Sequence, residues 1–545
     1  MSSPPSFISS KPKAKQSIFE DASPLIGKKV MIADRHTSTR MALREMVSHL
    51  GVKNTAIAQG AGDVIRLVKN SHIDIILCEY HLDEVRDGQQ LLEELRQKKL
   101  ISLSTVFMMI TNESNYKQVI SVAEFAPDDY LLKPFTPEQL NQRLLRAIEE
   151  KTAFSSTHKC LDKGKTQEAL VECDKLLREH PKFIATALRL KINILHELQR
   201  HDEAEALLQK IMSTKMVPWA QMGLASIRYK QNRLDEAEDL VSGLVSENHE
   251  YLAAYDLLAD VKCDLGKEHE ALDVLERAAS ISTFNVNRMR KTAAVAASTG
   301  DHTKAAQLLN KVVDRVRDSS LISTEDFANL SKAYVAQGKF EEAAKVSNDM
   351  KQTMKGTPDM EITALMIEYQ RHLSSNDTKR ADEALLKAVE MQKNRSSAIS
   401  PAMEAELAEA CFARNHIEQG FNIAQKVAAR KDVPKPIVNR ISALLDQYRE
   451  GQESRRDAAK AEAKPATHGK VDLGDLLATV KRLDIDGWDQ DTGQACRISL
   501  ERSLRQNPGN LEVQAAHTQM VAVMRKYGIS ATLDEEEVEV GGKSA

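Results

Sequence analysis

The sequence predicts a multidomain protein in which an α/β unit with a five-stranded parallel sheet precedes a long all-α array of repeats. The chain has 545 residues, more than one hydrophobic core would serve. Short apolar runs alternate with amphipathic segments over roughly the first 150 residues, a pattern typical of parallel α/β folds. Small residues then recur about every 34 positions, which is typical of stacked helical hairpins.

The composition argues against some classes of function for this chain and favours others. Hydrophobic residues make up 42%, charged residues 28% and aromatic residues 4% of the chain, which fits a helix-rich soluble protein. The 75 Lys and Arg nearly balance the 79 Asp and Glu, giving a net charge of -4, so we expect no nucleic-acid partner. The six cysteines contain no C-x-x-C pair, and a reducing cytoplasm is the expected location.

The sequence also predicts neither membrane insertion nor export. No uncharged apolar stretch approaches the ~18 residues that a spanning helix needs. The segment from Met1 to Lys15 is rich in Ser, Pro and Lys and lacks the apolar core of a secretory signal.

The strand pattern lies within residues 28–151. Because the apolar runs are continuous and not alternating, we expect helices to cover both faces of the sheet. The runs, in order, are Val30–Ala33, Thr55–Ala58, Asp74–Cys78, Thr105–Ile110 and Tyr130–Leu132.

Charged residues or a threonine follow four of these five strands. In parallel α/β sheets the functional crevice lies beyond the carboxyl ends of the strands, so the side chains that follow each strand are candidates for a site. These candidates are Asp34, Arg35, Glu79, Thr111 and Lys133.

The order of these residues, with the segment from Asp128 to Phe135 (DDYLLKPF), resembles the receiver domain of bacterial two-component response regulators over about 120 residues. The resemblance implies a flavodoxin-like fold in which an Asp at the end of the third strand accepts a phosphoryl group from a histidine kinase. It further implies that two acidic residues after the first strand hold Mg²⁺, that Thr111 and Lys133 bind the phosphoryl oxygens, and that an aromatic residue, here Tyr130, moves on activation.

Two positions depart from the family pattern. Glu79 stands where the phosphoacceptor Asp belongs, and Arg35 replaces the second metal-binding acid, which leaves Asp34 as the remaining acidic ligand. Mg²⁺ requires tight octahedral oxygen ligation, which the longer Glu side chain disturbs, and a permanently charged guanidinium repels a dication. The sequence therefore predicts a metal-poor pocket without a bound cofactor.

Two hypotheses describe the altered pocket. Glu79 mimics the phosphorylated state by a fixed contact with Thr111 and Lys133, or Arg35 captures Glu79 and holds the pocket in one unresponsive conformation. A half-exposed ion pair contributes only ~0–1 kcal/mol, too little to decide between them. An alternative function is an active phosphorelay regulator that is phosphorylated at another carboxylate, Asp83 or Asp87.

A helical repeat occupies residues 153–448. Ala237, Ala271 and Ala305 follow one another at steps of 34, the signature of tetratricopeptide repeats. Later steps are longer, 41 from Ala343 to Ala384 and 40 from there to Ala424. We expect seven or eight repeats stacked into a solenoid.

The remaining segments are predicted from composition and charge. They are a disordered tail (residues 1–27), a linker (449–470), a small helical region (471–530) and an acidic disordered tail (531–545).

These features predict a non-enzymatic signal-transduction adaptor. A solenoid of helix pairs offers a concave surface that binds segments of other proteins, and the chain shows no signature of a hydrolase or a phosphate-binding loop. A histidine kinase is a further expected partner. The receiver face near Tyr130 to Ala147 is expected to change packing with the state of the pocket and to offer a homodimer contact.

Overall fold

The structure is a computed structural model that describes residues 24–83, 86–112, 127–214, 217–283, 285–394, 399–430, 433, 437–449, 473–506, 508–527 and 529. It divides into two compact units, residues 1–445 and 446–545. Most of the predicted N-terminal tail, nearly all of the predicted linker and the whole acidic tail lie outside the described residues. The predicted end of the repeat array, residue 448, is three residues beyond the division between the units.

A five-stranded parallel sheet opens the first unit, as the apolar runs predict. Its strands are β1 (Lys29–Ala33), β2 (Asn54–Ala58), β3 (Ile75–Glu79), β4 (Val106–Thr111) and β5 (Asp129–Leu132). They are arranged in the order β2-β1-β3-β4-β5. Register pairs Ile32 of β1 with Leu77 of β3, and Leu77 with Met108 of β4. The carboxyl ends of these strands therefore meet at one edge of the sheet.

Four described helices flank the sheet: α1 (Thr37–His49), α2 (Ala61–Asn70), α3 (Gly88–Gln97) and α4 (Pro137–Ala153). On one face, Val47 of α1 and Leu144 of α4 join one core cluster. On the other, Val64 of α2 and Leu92 of α3 join a second cluster. Both strand faces are covered, which explains why the strands are continuously apolar.

A solenoid of paired helices follows the sheet, and its described residues form eight hairpins. The helices are α5 (Ser155–Asp162), α6 (Thr166–Glu179), α7 (Ile184–Glu197), α8 (His201–Thr214), α9 (Pro218–Lys230), α10 (Leu234–Glu247), α11 (Leu252–Asp264), α12 (Glu268–Ile281), α13 (Val286–Ser298), α14 (His302–Val316), α15 (Thr324–Ala336), α16 (Phe340–Thr353), α17 (Met360–Ser374), α18 (Thr378–Lys393), α19 (Pro401–Ala413) and α20 (Ile417–Ala429). A short 3-10 helix, Pro181–Phe183, precedes α7. The helix at residues 437–449 (α21) buries Ile441 and Leu445 against the last hairpin.

Each hairpin turn contains one residue with positive φ, and a buried small residue follows it five positions later. The turn residues are Gly164, Gln199, Asn232, Gly266, Gly300, Gly338, Asn376 and Asn415. The small residues are Ala169, Ala204, Ala237, Ala271, Ala305, Ala343, Ala381 and Gly420. The left-handed turn reverses the chain, and the small side chain lets the two helices of the hairpin pack closely.

The repeat positions predicted for the last two hairpins are wrong. The small residues that occupy this position are Ala381 and Gly420, and not Ala384 and Ala424. These two hairpins lie at longer steps than the 34-residue period, since Ala343 to Ala381 is 38 residues and Ala381 to Gly420 is 39. Ala384 and Ala424 lie three and four residues beyond these positions, so alanine spacing without a constant period sets the register incorrectly.

The first helices of successive hairpins lie on the inner side of the solenoid. α9 contacts α11, α13 contacts α15 and α15 contacts α17, whereas the second helices of these hairpins approach one another less closely. An ion pair between Lys332 of α15 and Glu406 of α19 joins first helices that are two hairpins apart. The array therefore curves with its first helices on the concave side.

The second unit contains three described helices, α22 (Leu473–Asp486), α23 (Gln490–Gln506) and α24 (Leu511–Lys526). Val480, Leu500 and Met520, one from each helix, are buried in a shared core. These helices lie within residues 471–530, for which the sequence predicts a small helical region. Across the described part of the chain, none of the helices combines the length and the apolar character that crossing a bilayer requires.

Candidate functional site

Three charged side chains meet at the carboxyl edge of the sheet. Asp34 directly follows β1, Glu79 is the last residue of β3, and Lys133 directly follows β5. The Lys133 ammonium forms ion pairs with Glu79 Oε2 and, at 3.3 Å, with Asp34 Oδ2. The parallel register thus brings together residues that are far apart in the sequence.

The two carboxylates of this pocket are buried, and the lysine is nearly so. The side chains of Asp34 and Glu79 are 1% and 7% exposed, and that of Lys133 is 18% exposed. A buried carboxylate is costly unless it is paired and hydrogen-bonded. One ammonium between two carboxylates supplies part of that compensation and leaves the pocket with an excess of one negative charge.

Backbone N–H groups hold the second oxygen of each carboxylate. The His36 N–H donates to Asp34 Oδ1 at 2.7 Å, and the His81 N–H approaches Glu79 Oε1 at 3.4 Å. In each case the donor lies two residues beyond the acid, where the chain leaves the strand. These donors could not be predicted from the sequence, because backbone N–H groups carry no residue signature.

Arg35 lies apart from this group. Its side chain is exposed, and its Nε donates to His36 Nε2 at 3.0 Å. The ion pair of Glu79 is formed with Lys133, so the hypothesis that Arg35 captures Glu79 is wrong. The physical reason is position: Lys133 approaches along the sheet edge from the end of β5, whereas the Arg35 side chain extends into solvent.

A different arginine, Arg40 of α1, supports the first strand end. It is buried, and its Nη1 donates to the carbonyl oxygens of Asp34 at 2.7 Å and Arg35 at 2.9 Å. These hydrogen bonds fix the backbone that carries Asp34. Arg40 was not among the predicted site residues, because it lies inside a helix pattern and not at a strand end.

Thr111 and Tyr130 lie beside the pocket. Thr111 is buried at the end of β4, and its carbonyl accepts a hydrogen bond from the Lys133 N–H at 2.8 Å. Tyr130 is partly buried in β5 and packs against the core cluster of Phe107 and Met109. The proposed contact of the Thr111 hydroxyl with Glu79 and the proposed movement of Tyr130 stay predictions.

The two alternative phosphate acceptors have structural partners of their own. Asp83 accepts hydrogen bonds from the backbone N–H groups of Ala61 at 2.9 Å and Arg86 at 2.6 Å. Asp87 caps α3 and forms an ion pair with Arg315 at 2.7 Å. Both carboxylates therefore hold loops and helix ends together, whereas Lys133 pairs with Asp34 and Glu79.

The donor set of the pocket does not fit Mg²⁺. Among the described residues there is no group of three or more His, Cys, Asp or Glu side chains arranged to hold a metal ion. The two carboxylates that are present share Lys133, whose positive charge opposes a dication between them. Mg²⁺ prefers several carboxylate and water oxygens in a strict octahedron, so we derive no step through this ion.

Comparisons with known proteins agree with this architecture. Residues 30–145 match the response regulator receiver domain, and residues 154–251 match the N-terminal tetratricopeptide repeat region of psidin. Over 121 residues the chain is 26% identical to the chemotaxis protein CheY-3 of Vibrio cholerae, covering 22% of this chain and 92% of that protein. It is 24% identical to the CheY of Pseudomonas aeruginosa over 121 residues, covering 22% of this chain and 96% of that protein.

The comparison with solved structures gives a tetratricopeptide repeat protein at low similarity. A tetratricopeptide repeat protein from Parabacteroides merdae is 15% identical, with a TM-score of 0.34, covering 48% of this chain and 98% of that chain. The sheet, the strand-end residues and the family matches together identify the N-terminal part of the chain as a response regulator receiver domain. A tetratricopeptide repeat region follows it.

Proposed function

We propose that the protein is a non-enzymatic signal-transduction adaptor in which a receiver-like domain with a permanently charged switch pocket is joined to a protein-binding solenoid. The ion pair of Glu79 with Lys133 carries this proposal. In the receiver family the lysine binds the phosphoryl oxygens of the modified aspartate. Here the carboxylate of Glu79, one methylene longer than that of aspartate, already forms an ion pair with this lysine.

The charges in the pocket favour a single, unphosphorylated form. A phosphoryl group adds about two negative charges at neutral pH. Adding them beside two buried carboxylates, Asp34 and Glu79, that share a single lysine is unfavourable unless a metal ion compensates them, and the donor set opposes a metal ion. Glu79 therefore takes the place of a removable charge.

The solenoid is the part of the chain that we propose binds partner proteins. Its inner surface is lined by the first helices of the hairpins, and such surfaces hold extended or helical segments of other proteins. A histidine kinase and a second copy of this chain, bound through the receiver, are further candidate partners. The described cysteines are free thiols, which supports a cytoplasmic location.

Phosphorylation of the full chain tests the proposal. The protein is incubated with a small-molecule phosphodonor and Mg²⁺, and phosphoryl adducts are read by intact mass and peptide mapping. We expect none on the wild-type receiver. The control is the double variant Arg35→Asp with Glu79→Asp, which restores both departures to the family pattern, and in this variant we expect an adduct at position 79.

The mapping also separates the alternative function. A phosphoryl group on wild-type Glu79 would overturn the permanently charged pocket. An adduct on Asp83 or Asp87 that Asp→Asn substitution removes would replace the proposal with an active phosphorelay regulator.

A further inference from the structure

Helix α3 of the receiver is buried on all sides. Eight consecutive residues, Gly88 to Leu95, are buried, whereas a helix on the surface of a domain buries one face only. Leu91, Leu92 and Leu95 pack against the sheet. The polar residues between them, including Gln90, Glu93 and Glu94, must therefore be covered by something other than the receiver core.

Glu94 shows what covers this second face. Its Oε2 accepts a hydrogen bond from Ser319 Oγ at 2.9 Å, and its Oε1 accepts one from the Ser320 N–H at 3.0 Å. Arg86 of the receiver forms an ion pair with the same carboxylate at 3.1 Å. Burial by itself raises the pKa of Glu94, but the hydrogen bonds from Ser320 and Ser319 and the Arg86 charge outweigh it and lower the pKa.

Three further contacts join α3 to the same region of the solenoid. Arg315 Nη2 forms an ion pair with Asp87 at 2.7 Å, and the Arg315 carbonyl accepts a hydrogen bond from Gln90 Nε2 at 3.1 Å. Asn287 Nδ2 donates to Glu93 Oε1 at 3.1 Å. All of these partners belong to the fifth hairpin, α13 and α14, or to the loop at residues 317–323 that follows it.

The start of α3 also touches the strand that carries Glu79. The Gly88 N–H donates to the Tyr80 carbonyl at 2.7 Å. A Cβ atom added to Gly88 would lie 2.6 Å from the Glu79 carbonyl oxygen, closer than atoms can approach. The residue after the Asp87 cap is thus packed on the backbone of the pocket, while the cap itself is paired with the solenoid.

We infer that α3 is the surface through which the switch pocket is coupled to the solenoid, and that its partner is the fifth hairpin of this same chain. Other contacts of the receiver with the solenoid, from Ser102 and Leu103 to Asp162 and from Glu149 to Lys182, are exposed. A change at Glu79 reaches the solenoid along a short path of contacts from the end of β3 through Gly88 and Asp87 to Arg315. The face near Tyr130 to Ala147, where the sequence analysis placed the coupling, buries only the inner side of α4. The inference goes beyond the proposed function, because the docking does not depend on what Glu79 mimics or on which protein the solenoid binds.

Two arginines of the solenoid provide a matched test. Arg315 pairs with Asp87 of the receiver, whereas Arg317 pairs with Asp349 inside the solenoid, also at 2.7 Å. Full-length Arg315→Glu and Arg317→Glu are compared with wild type by hydrogen–deuterium exchange and mass spectrometry. We expect Arg315→Glu to raise exchange in α3 and in residues 319–323 by about tenfold or more, since like charges then face each other in the interface.

The Arg317→Glu variant shows whether a change in α3 is specific to the Arg315 contact. Arg317→Glu is expected to change exchange around α16 and to leave α3 as in wild type. If both variants leave α3 unchanged, or if both open it equally, the inference is wrong.

A second pair of variants, with side chains of similar size, distinguishes loss of this contact from general unfolding. Asn287→Asp places a carboxylate opposite Glu93 and is expected to increase exchange in α3. Adding Glu93→Gln replaces one of the two facing carboxylates by an amide that can donate to the carboxylate introduced at position 287, so the double variant is expected to recover most of the wild-type protection. Exchange in α7 and α8, far along the array, reports whether the fold as a whole is intact, and failure of the double variant to recover with α7 and α8 protected would contradict the docking.

The path from the pocket is tested with Glu79→Gln, which removes the charge opposite Lys133. We expect altered exchange in α3 and residues 319–323, with α4 unchanged. If α4 responds and α3 does not, coupling through α3 is excluded, and this result does not bear on whether Glu79 replaces a phosphorylated residue.

Discussion

The receiver and the solenoid treat buried ionisable groups in different ways. The receiver buries the carboxylates of Asp34, Glu79 and Glu94, all less than a tenth exposed, and gathers donors around them at two places, the pocket and the interface. The solenoid also buries charged side chains, among them Arg288, Asp326 and Glu404, but each of these pairs with a partner that is 23% to 29% exposed. Other ion pairs of the solenoid, such as Arg317 with Asp349, are exposed on both sides, at 36% and 38%. The receiver therefore gathers buried carboxylates at two places, whereas the solenoid spreads its ion pairs over similar hairpins.

The largest expected effect is therefore at a buried carboxylate of the receiver. Glu94→Ala leaves Arg86, Ser319 and Ser320 without the oxygens that they contact. Removing one member of a buried, hydrogen-bonded charge group typically costs about 3 kcal/mol or more. Denaturant unfolding of the full chain is expected to show a free energy of unfolding that is lower by about this amount, with the midpoint at lower denaturant.

Glu383→Ala is the control for that measurement. Glu383 is exposed on α18, and its removal is expected to change stability by less than about 0.5 kcal/mol. Equal losses in the two variants would show that the receiver interface does not concentrate stability as we infer.

A second effect comes from histidines that the solenoid buries in the neutral form. Burial, followed by the nearby charge of Lys151, lowers the pKa of His158 to about 4, and burial followed by Lys230 lowers the pKa of His196 to about 4. Because the unfolded chain takes up protons near pH 6.5, stability is complete above that pH and falls as the pH drops from 6.5 towards 4.

Each of these histidines is expected to cost the solenoid about 1 kcal/mol at pH 5, after allowance for partial solvent screening. Thermal unfolding at pH 7.5 and pH 5 measures the loss, and the double variant His158→Gln with His196→Gln is expected to lose less on acidification. His49→Gln, at a side chain that is 75% exposed, serves as the control and should keep the wild-type pH dependence. If the double variant loses as much stability on acidification as wild type, these two histidines do not cause the pH dependence.

The smallest expected effect tests the repetition of the hairpin turns. Gly266 has φ of +73°, and no atom lies within 4 Å of a Cβ added to it. Gly266→Ala therefore introduces backbone strain without a steric clash, and we expect a loss of about 1 kcal/mol.

Asn232 has a φ of 62° in the equivalent turn of the third hairpin. Asn232→Gly is expected to leave stability within about 0.5 kcal/mol, because asparagine tolerates this conformation and glycine adopts it freely. Urea unfolding compares the two variants, and a larger loss for Asn232→Gly would show that the turns are not equivalent.

Much of the fold could be predicted from local patterns. The continuous apolar runs predict the five strands, and the strand-end residues predict that Asp34, Glu79 and Lys133 meet, since parallel strands bring their carboxyl ends to one edge. The repeat positions after Ala343 could not be predicted correctly, because the steps to Ala381 and Gly420 lengthen to 38 and 39 residues and the 34-residue period no longer sets the register.

The choice of cation for Glu79 also required the structure. Arg35 and Lys133 both follow strands and both carry a positive charge, so charge and spacing do not distinguish them. Their side-chain directions do: Lys133 turns into the pocket and Arg35 into solvent.

The sheet, the strand-end pocket and the repeating hairpins follow from local sequence patterns, because each depends on periodicity or on position relative to a strand. The covering of α3 by the fifth hairpin is visible only in the folded molecule. The residues of α3 from Gly88 to Gln97 include five Gln and Glu side chains, as expected of a half-exposed helix. Three of them, Gln90, Glu93 and Glu94, have partners in the solenoid more than 190 residues away. Contacts at such a separation depend on how the intervening hairpins curve, and that curvature accumulates from many small packing angles that no local pattern specifies.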